Sequence, residues 1–302
     1  MAFFEWLKGF FNHSSKQQTN DIYEPHDEVK DEKKIRREMD LSQKVLAQMY
    51  PETLKPVLRI TLSDGPVSLL GSKVGGLPYL PSKEAIPFDS KGMPLRLLAQ
   101  IDCRELSSLP DFPQTGLLQF WIGQDGSLGL FTEGGYRVVW HETVDANITD
   151  DDVRTWISEL PNLKESYFPV EGEYGISYAQ DFEPMPMSDA HFSPLFIPKY
   201  NSISGEYTIE DMFELTAEAS EMIWDSVSGD GHKVGGYPAF SQEDPREENS
   251  DQTILLLQID SEYDGEKNKT IWGDGGVCGF FCTPDELKRR DFSEVLYNWD
   301  CY

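Results

Sequence analysis

Lys73-Val-Gly-Gly-Leu-Pro78 recurs as Lys233-Val-Gly-Gly-Tyr-Pro238, 160 positions on (73 to 233), and this pair decides how the chain is read. Two further blocks keep the same order and nearly the same offset. Leu98-Ala-Gln-Ile-Asp102 returns as Leu256-Leu-Gln-Ile-Asp260 at 158 (98 to 256). Gly116-Leu-Leu-Gln-Phe-Trp121 returns as Gly276-Val-Cys-Gly-Phe-Phe281, again at 160 (116 to 276). Three blocks in one order at nearly one spacing are the mark of an internal duplication.

Each block has a physical reading. Adjacent glycines reach positive φ or let another backbone approach, and a proline forces the residue before it into an extended conformation. Gly75-Gly76 and Gly235-Gly236 are therefore read as tight bends at strand ends. In the second block, alternation puts Ala99 and Ile101 on one face and Leu98, Gln100 and Asp102 on the other. The same holds for Leu257 and Ile259 against Leu256, Gln258 and Asp260. Runs this apolar predict strands covered on both faces, where Gln and Asp need partners. Those partners are either the backbone of the bends or a ligand in a pocket that bends and polar pairs line, one per copy or one shared at a pseudo-twofold.

Outward from the repeats, 302 residues suit about two domains or one large one. Residues 57–62 read as a first strand. Residues 128–131 and 136–140 flank Thr132-Glu-Gly-Gly135 and predict a hairpin. Thr149, with Asp152 three residues on, starts a short helix through Trp156 to Leu160. Residues 161–205, rich in Pro, Tyr, Phe and Met without a period, predict irregular chain. Thr208, with Asp211 three on, predicts a helix carrying Ile209, Met212, Phe213, Thr216, Ala219 and Ile223 on one face. Thr283-Pro284-Asp285-Glu286 predicts another directly after the Phe280-Phe281 strand.

Toward the N-terminus, residues 27–49 predict an exposed helix ended by Tyr50-Pro51, and the polar run from His13 to about Asp27 a linker. In residues 1–11, Phe3, Phe4, Leu7, Phe10 and Phe11 share one helical face, while Glu5 and Lys8 break any signal-peptide core. The expected fold is α+β and mainly β: two intertwined or side-by-side pseudo-symmetric β-rich repeats with a few flanking helices. Residues 1–48 form an extension and 49–302 the duplicated domain, with repeat one at about 57–140, a connecting segment at 141–224 and repeat two at 225–302.

Lys and Arg number 26 against 53 Asp and Glu, a net charge of −27. A surface this negative repels phosphate backbones and anionic lipids, which disfavours nucleic acid and acidic membranes, and it attracts cationic proteins. No run of about 18 apolar residues exists to span a membrane. Four cysteines, Cys103, Cys278, Cys282 and Cys301, are too few for a disulfide framework and fit a reducing, cytoplasmic setting.

Signatures of chemistry are missing. Gly175-Ile-Ser-Tyr-Ala179 fails the nucleophile-elbow pattern at its last position, and no phosphate-binding glycine loop occurs. Cys103 with His232 would make a thiol–imidazole pair, but no sequence cue brings them together. Cys278 and Cys282 lack zinc-knuckle spacing, and between Asp225 and Asp230 Val227 and Gly229 occupy calcium-ligand positions. No catalytic residue, metal or cofactor is expected.

Lys233-Val-Gly-Gly-Tyr-Pro238, Leu255-Leu-Leu-Gln-Ile-Asp260, Trp272-Gly-Asp-Gly-Gly276 and Asp291-Phe-Ser-Glu-Val-Leu-Tyr-Asn-Trp-Asp300 together resemble the YwqG-like family of uncharacterised bacterial proteins. The similarity covers about residues 49–302. It implies a mainly β, internally duplicated α+β fold, a cytosolic location, no defined cofactor and no established reaction. Members of this broad family have been suggested, on genomic grounds, to act as immunity proteins against toxin domains. The first copy departs from the second, having Phe112-Pro-Gln-Thr before Gly116 where the second has Trp272-Gly-Asp274. A site at that turn would belong to the C-terminal half alone.

The ligand-binding candidates are Gly75, Gly76, Gln100, Asp102, Gly235, Gly236, Gln258, Asp260, Trp272 and Asp274. The expected function is a non-enzymatic protein-binding or regulatory module meeting a basic partner, in its sharpest form a toxin-neutralising protein. The alternative is a small-ligand binder or enzyme using the pseudo-twofold pocket.

Overall fold

A computed structural model describes residues 25–160, 167–246 and 250–302. The amphipathic reading of residues 1–11 and most of the expected linker lie outside the described residues. In chain order the elements are helix α1 (Pro25–Thr53), then strands β1 (Lys55–Asp64), β2 (Lys73–Gly75), β3 (Arg96–Asp102), β4 (Leu117–Ile122) and β5 (Tyr136–His141). Helix α2 (Asp150–Ser158), strand β6 (Glu173–Glu183) and helices α3 (Phe192–Ser204) and α4 (Ala217–Ser226) follow. The chain closes with β7 (Lys233–Gly235), β8 (Ile254–Asp260), β9 (Glu262–Tyr263), β10 (Asn268–Thr270), β11 (Val277–Cys282), helix α5 (Pro284–Arg289) and β12 (Leu296–Asp300). The fold is mainly β with a minority of helix, as expected.

The chain divides into two compact units that cut across the expected boundary at residue 48. Of the described residues, the first takes 25–54, 184–228 and 242–245; the second takes 55–160, 167–183, 229–241, 246 and 250–302. The first is helical. Glu38, Leu41, Ser42, Val45 and Met49 recur at helical spacing, and this stripe of α1 is buried with Phe192, Phe196 and Tyr200 of α3 and Ala219 and Ile223 of α4. Helix α1 is therefore not the exposed helix its charge suggested. Nor does it stop at Tyr50: it absorbs Pro51 in its final turn, where Thr53 Oγ1 donates to Met49 O at 3.0 Å.

The helix expected from Thr208 is also broken. Asp211 caps a single 3-10 turn over Met212–Glu214, and Glu214 reaches back to the amides of Glu210 and Asp211. Leu215 is then extended before α4 begins. Local side-chain bonds to backbone compete with the helix here and win.

The second unit is a ten-stranded sheet in the order β12-β11-β8-β7-β1-β6-β2-β3-β4-β5. Its centre is the long antiparallel pair β1–β6, in register from Lys55↔Glu183 to Asp64↔Tyr174. Residues 161–205, expected to be irregular, thus hold the longest strand and a helix. Strand β6 has no run of aliphatics to betray it, because its inward Tyr174, Ile176 and Tyr178 alternate with polar residues on a half-exposed face.

Phe120 of β4 meets Phe280 of β11 at 5.0 Å between ring centroids, and Tyr136 of β5 meets Tyr297 of β12 at 5.1 Å. The sheet therefore curls until its two ends face one another around a common core. Each fully buried phenyl ring there stabilises the unit by about 2–3 kcal/mol.

Strict alternation fails at one point in each half. Trp121 pairs with Leu97 and Phe120 with Ala99, so Leu98 is an unpaired bulge residue and joins Ala99 and Ile101 in the core. Leu256 is bulged in the same way between Leu255 and Leu257.

Strand β5 forms a hairpin with β4, not with residues 128–131. The intervening loop is tied down by Asp125, which accepts from Ser127 N, Ser127 Oγ, Gly129 N and Thr132 Oγ1 at 2.7–3.0 Å. The helices predicted at Thr149 and Thr283 form as α2 and α5, each behind a complete capping box. Among the described residues, no helix is long and apolar enough to cross a membrane.

Candidate functional site

Lys73 and Lys233 open the two repeated bends, and both are fully buried. A buried ammonium needs a counter-charge. Lys73 Nζ donates to Leu77 O at 2.9 Å and to Glu173 Oε2 at 3.4 Å. Lys233 Nζ donates to both oxygens of Glu183 at 3.0 and 3.1 Å and to Gly229 O. Glu183 also holds Arg59 Nη2 at 2.7 Å. Burial lowers the pKa of both lysines against the opposing pull of their glutamates, that of Lys233 to about 8.

The glycines make room for these carboxylates. Gly76 and Gly236 stand at φ +74° and +71°, and a Cβ on either would lie 2.1 Å from a carboxylate oxygen, of Glu173 and of Glu183 respectively. Each oxygen accepts the next backbone amide, Leu77 N at 3.2 Å in one bend and Tyr237 N in the other. The Gly-Gly pair is thus a cradle for a carboxylate bound to the motif lysine. Sequence reasoning missed both lysines and both glutamates, because the glutamates belong to β6, outside the repeated blocks.

Gln100 lies on β3, opposite Lys73 at the start of the bend. Its Nε2 donates to Leu69 O at 2.8 Å and Gly71 O at 3.0 Å, and its Oε1 accepts from Tyr79 N at 2.9 Å and Gln119 Nε2 at 2.8 Å. All four hydrogen-bonding positions of that amide are filled. Gln258 Nε2 donates to Gly229 O and Gly231 O at 2.9 Å, and its Oε1 accepts Ala239 N at 2.7 Å. Of the two readings left open by the sequence, the geometry supports backbone anchoring. Along the sheet the two sets are separated, with β7, β1, β6 and β2 between β8 and β3.

The aspartates diverge. Burial raises the pKa of Asp102, but hydrogen bonds from the Arg104 side chain and amide outweigh it and leave the carboxyl below its ordinary value. Asp260 is raised by deeper burial, although it accepts Gly231 N at 2.7 Å and Ser261 N at 2.8 Å. Asp102 N donates to Ser72 Oγ at 2.8 Å, and Asp260 N donates to His232 Nδ1 at 3.0 Å. That bond places the imidazole proton on Nε2, which donates to Glu262 Oε2 at 2.8 Å. His232 is therefore occupied by Asp260 and Glu262, and burial pushes the Cys103 thiol up to about 12, far from a reactive thiolate.

Trp272 is fully buried, packed 6.1 Å from Trp299, and its indole N–H has no hydrogen-bond partner among the described residues. Its carbonyl accepts Gly275 N and Gly276 N, closing the turn, while exposed Asp274 lies against Cys301. Among the described residues, no group of three His, Cys, Asp or Glu is placed to hold a metal ion.

The surface of the described residues includes two cavities of note. One, of about 780 Å³, borders Gly76 and is floored by Leu80, Leu97 and Trp121, with Arg96 and Arg154 among its polar residues. The other, of about 940 Å³, lies between β5 and the chain leading into β12.

Residues 72–301 match a family described as a domain of unknown function (DUF1963). Among curated proteins, none matches the chain.

Proposed function

The chain belongs to this family of unknown function, and from that premise we propose that it is a non-enzymatic acidic module that binds a cationic protein. The observation that carries the reading is the net charge of −27 combined with the direction of the motif cations. Lys73 turns inward to the half-buried Glu173 and Lys233 to the buried Glu183, so the two repeated lysines offset little of the outward negative field. The glutamines of the repeated blocks are engaged in holding backbone, which makes the repeats a scaffold for that surface.

The finer form of the proposal is a duplicated, YwqG-like bacterial protein acting in the cytoplasm as a toxin-neutralising partner. Duplication is supported by the matching glutamine anchors and by the matching bulges at Leu98 and Leu256. In this reading the copies have exchanged their first strands. Strand β1 leads copy one yet pairs with β7 of copy two, while β6, which the sequence placed in the connecting segment, is read here as leading copy two and pairs with β2 of copy one. The intertwined arrangement is the one proposed.

Affinity capture from native cytosol, washed first at low and then at high salt, tests the proposal. A discrete basic protein retained at low salt and shed at high salt is the expected result. Retention of nothing, or of partners indifferent to salt, would sink it.

A second reading has one observation of its own: the cleft of about 780 Å³ beside Gly76 has the volume and mostly apolar lining of a small-ligand site. A thermal-shift screen comparing the parent with Arg154→Ala would reveal such a ligand by a stabilisation that the variant loses.

A further inference from the structure

We propose that the groove between the two ends of the sheet receives an extended, cationic peptide segment, which adds to the sheet as a further strand. The inference rests on the protein-binding reading above and says where that binding happens and through which chemistry.

Among the described residues, strands β5 and β12 terminate the sheet, so each has a hydrogen-bonded strand on one side only. An edge strand presents a row of backbone N–H and C=O groups that pair readily with another extended chain. Proteins usually blunt such edges or hide them. Here curling of the sheet brings both edges to one place, with Tyr136 of β5 packed on Tyr297 of β12 and a groove of about 940 Å³ opening beside them. The groove is lined by most of β5 and by residues 290–296, which lead into β12. A six-residue strand such as β5 spans roughly 20 Å, the length of a segment of six to eight extended residues.

Phe131 stands at the rim with 86 % of its surface exposed, in a lining where Val139 and Trp140 are half-buried and Val138 and Val295 belong to the core beneath. An exposed phenyl ring beside a sheet edge is an anchor for the apolar face of an added strand. Charge selects the other face. Glu133, Asp291 and Glu294 line the groove. Of its two cations, Arg290 already donates to the carbonyls of Asp111, Phe112 and Leu287. Three carboxylates thus face two cations in the lining, in a chain of net charge −27. The segment that fits alternates apolar residues with Lys or Arg.

Selection from a displayed library of random octapeptides tests this, with the Glu133→Lys, Asp291→Lys, Glu294→Lys triple variant as counter-target. Enriched peptides should carry Lys or Arg at alternate positions. They should protect amides of residues 136–141 and 292–300 from hydrogen exchange, and lose at least about tenfold in affinity on the triple variant, as three weakened exposed ion pairs would give. N-methylation of alternate peptide nitrogens should abolish binding, a loss that binding through side chains alone would not show. Failure to enrich any peptide, protection elsewhere, or indifference to N-methylation overturns the inference. The broader reading is separated by capturing cytosolic protein on the triple variant. Retention of the same basic partner there would leave that reading standing and remove the groove as its site.

Discussion

At the scale of single residues, Lys233 and Glu183 make the sharpest case, because burial sets how much each needs the other. Removing one member of a buried ion pair leaves a charge in a medium that cannot solvate it. Lys233→Met should therefore cost about 3 kcal/mol in denaturant unfolding, Arg59 softening the loss, and adding Glu183→Leu should recover part of it. The pair also predicts a pH dependence. Lys233 has a folded pKa of about 8 against an ordinary 10.5, so between these values the unfolded chain holds a proton that the folded chain has released. Stability then rises with pH across that window, and the parent should gain on Lys233→Met there.

Glu262 has the opposite sign. The His232 hydrogen bond leads, against the opposing effect of burial, in holding its carboxyl down at about 2 from an ordinary 4.5. Its contribution is full above 4.5 and fades as pH falls toward 2. Melting temperatures of Glu262→Gln and parent should converge on acidification; a constant gap would refute the assignment. None of these partners was legible beforehand. A lysine in an apolar strand looks like an edge residue until the fold supplies its carboxylate.

At the scale of elements, the two bends allow a clean separation of strain from space. Gly92 has φ +76° and nothing within 4 Å of the place a Cβ would take, whereas Gly76 at φ +74° would drive its Cβ into Glu173. Gly92→Ala should therefore report backbone strain alone, about 1–2 kcal/mol. Gly76→Ala and Gly236→Ala should cost at least twice that, because the carboxylate must leave its lysine. Equal losses at all three positions in urea unfolding would show that the cradle does not matter.

The same scale shows what local sequence can encode. The capping boxes at Thr149 and Thr283 were readable because each is complete within four residues. The bulges at Leu98 and Leu256 were not, since the extra residue shows only against the partner strand. Strand β6 escaped because its pairing on both sides, with β1 and β2, compensates for a weak local pattern.

At the scale of the whole molecule, the repeated blocks disclosed strands and bends but not their order in the sheet. That order depends on which neighbours each long strand pairs with, and β1 and β6 lie outside the repeated blocks. Charge acts at this scale too. With 53 carboxylates against 26 basic side chains, the folded chain repels itself more than its expanded form does. The screening length falls from about 30 Å at roughly 0.01 M salt to well under 10 Å at several tenths molar. Screening should relieve the folded state most, so the melting temperature should climb by roughly 5 °C over that range, equivalent to about 2 kcal/mol. Glycerol at matched osmolarity should not reproduce the dependence on ionic strength. A melting temperature that stays flat or falls with salt would mean that the carboxylates are neutralised within the fold, and the attraction for a cationic segment would lose its source.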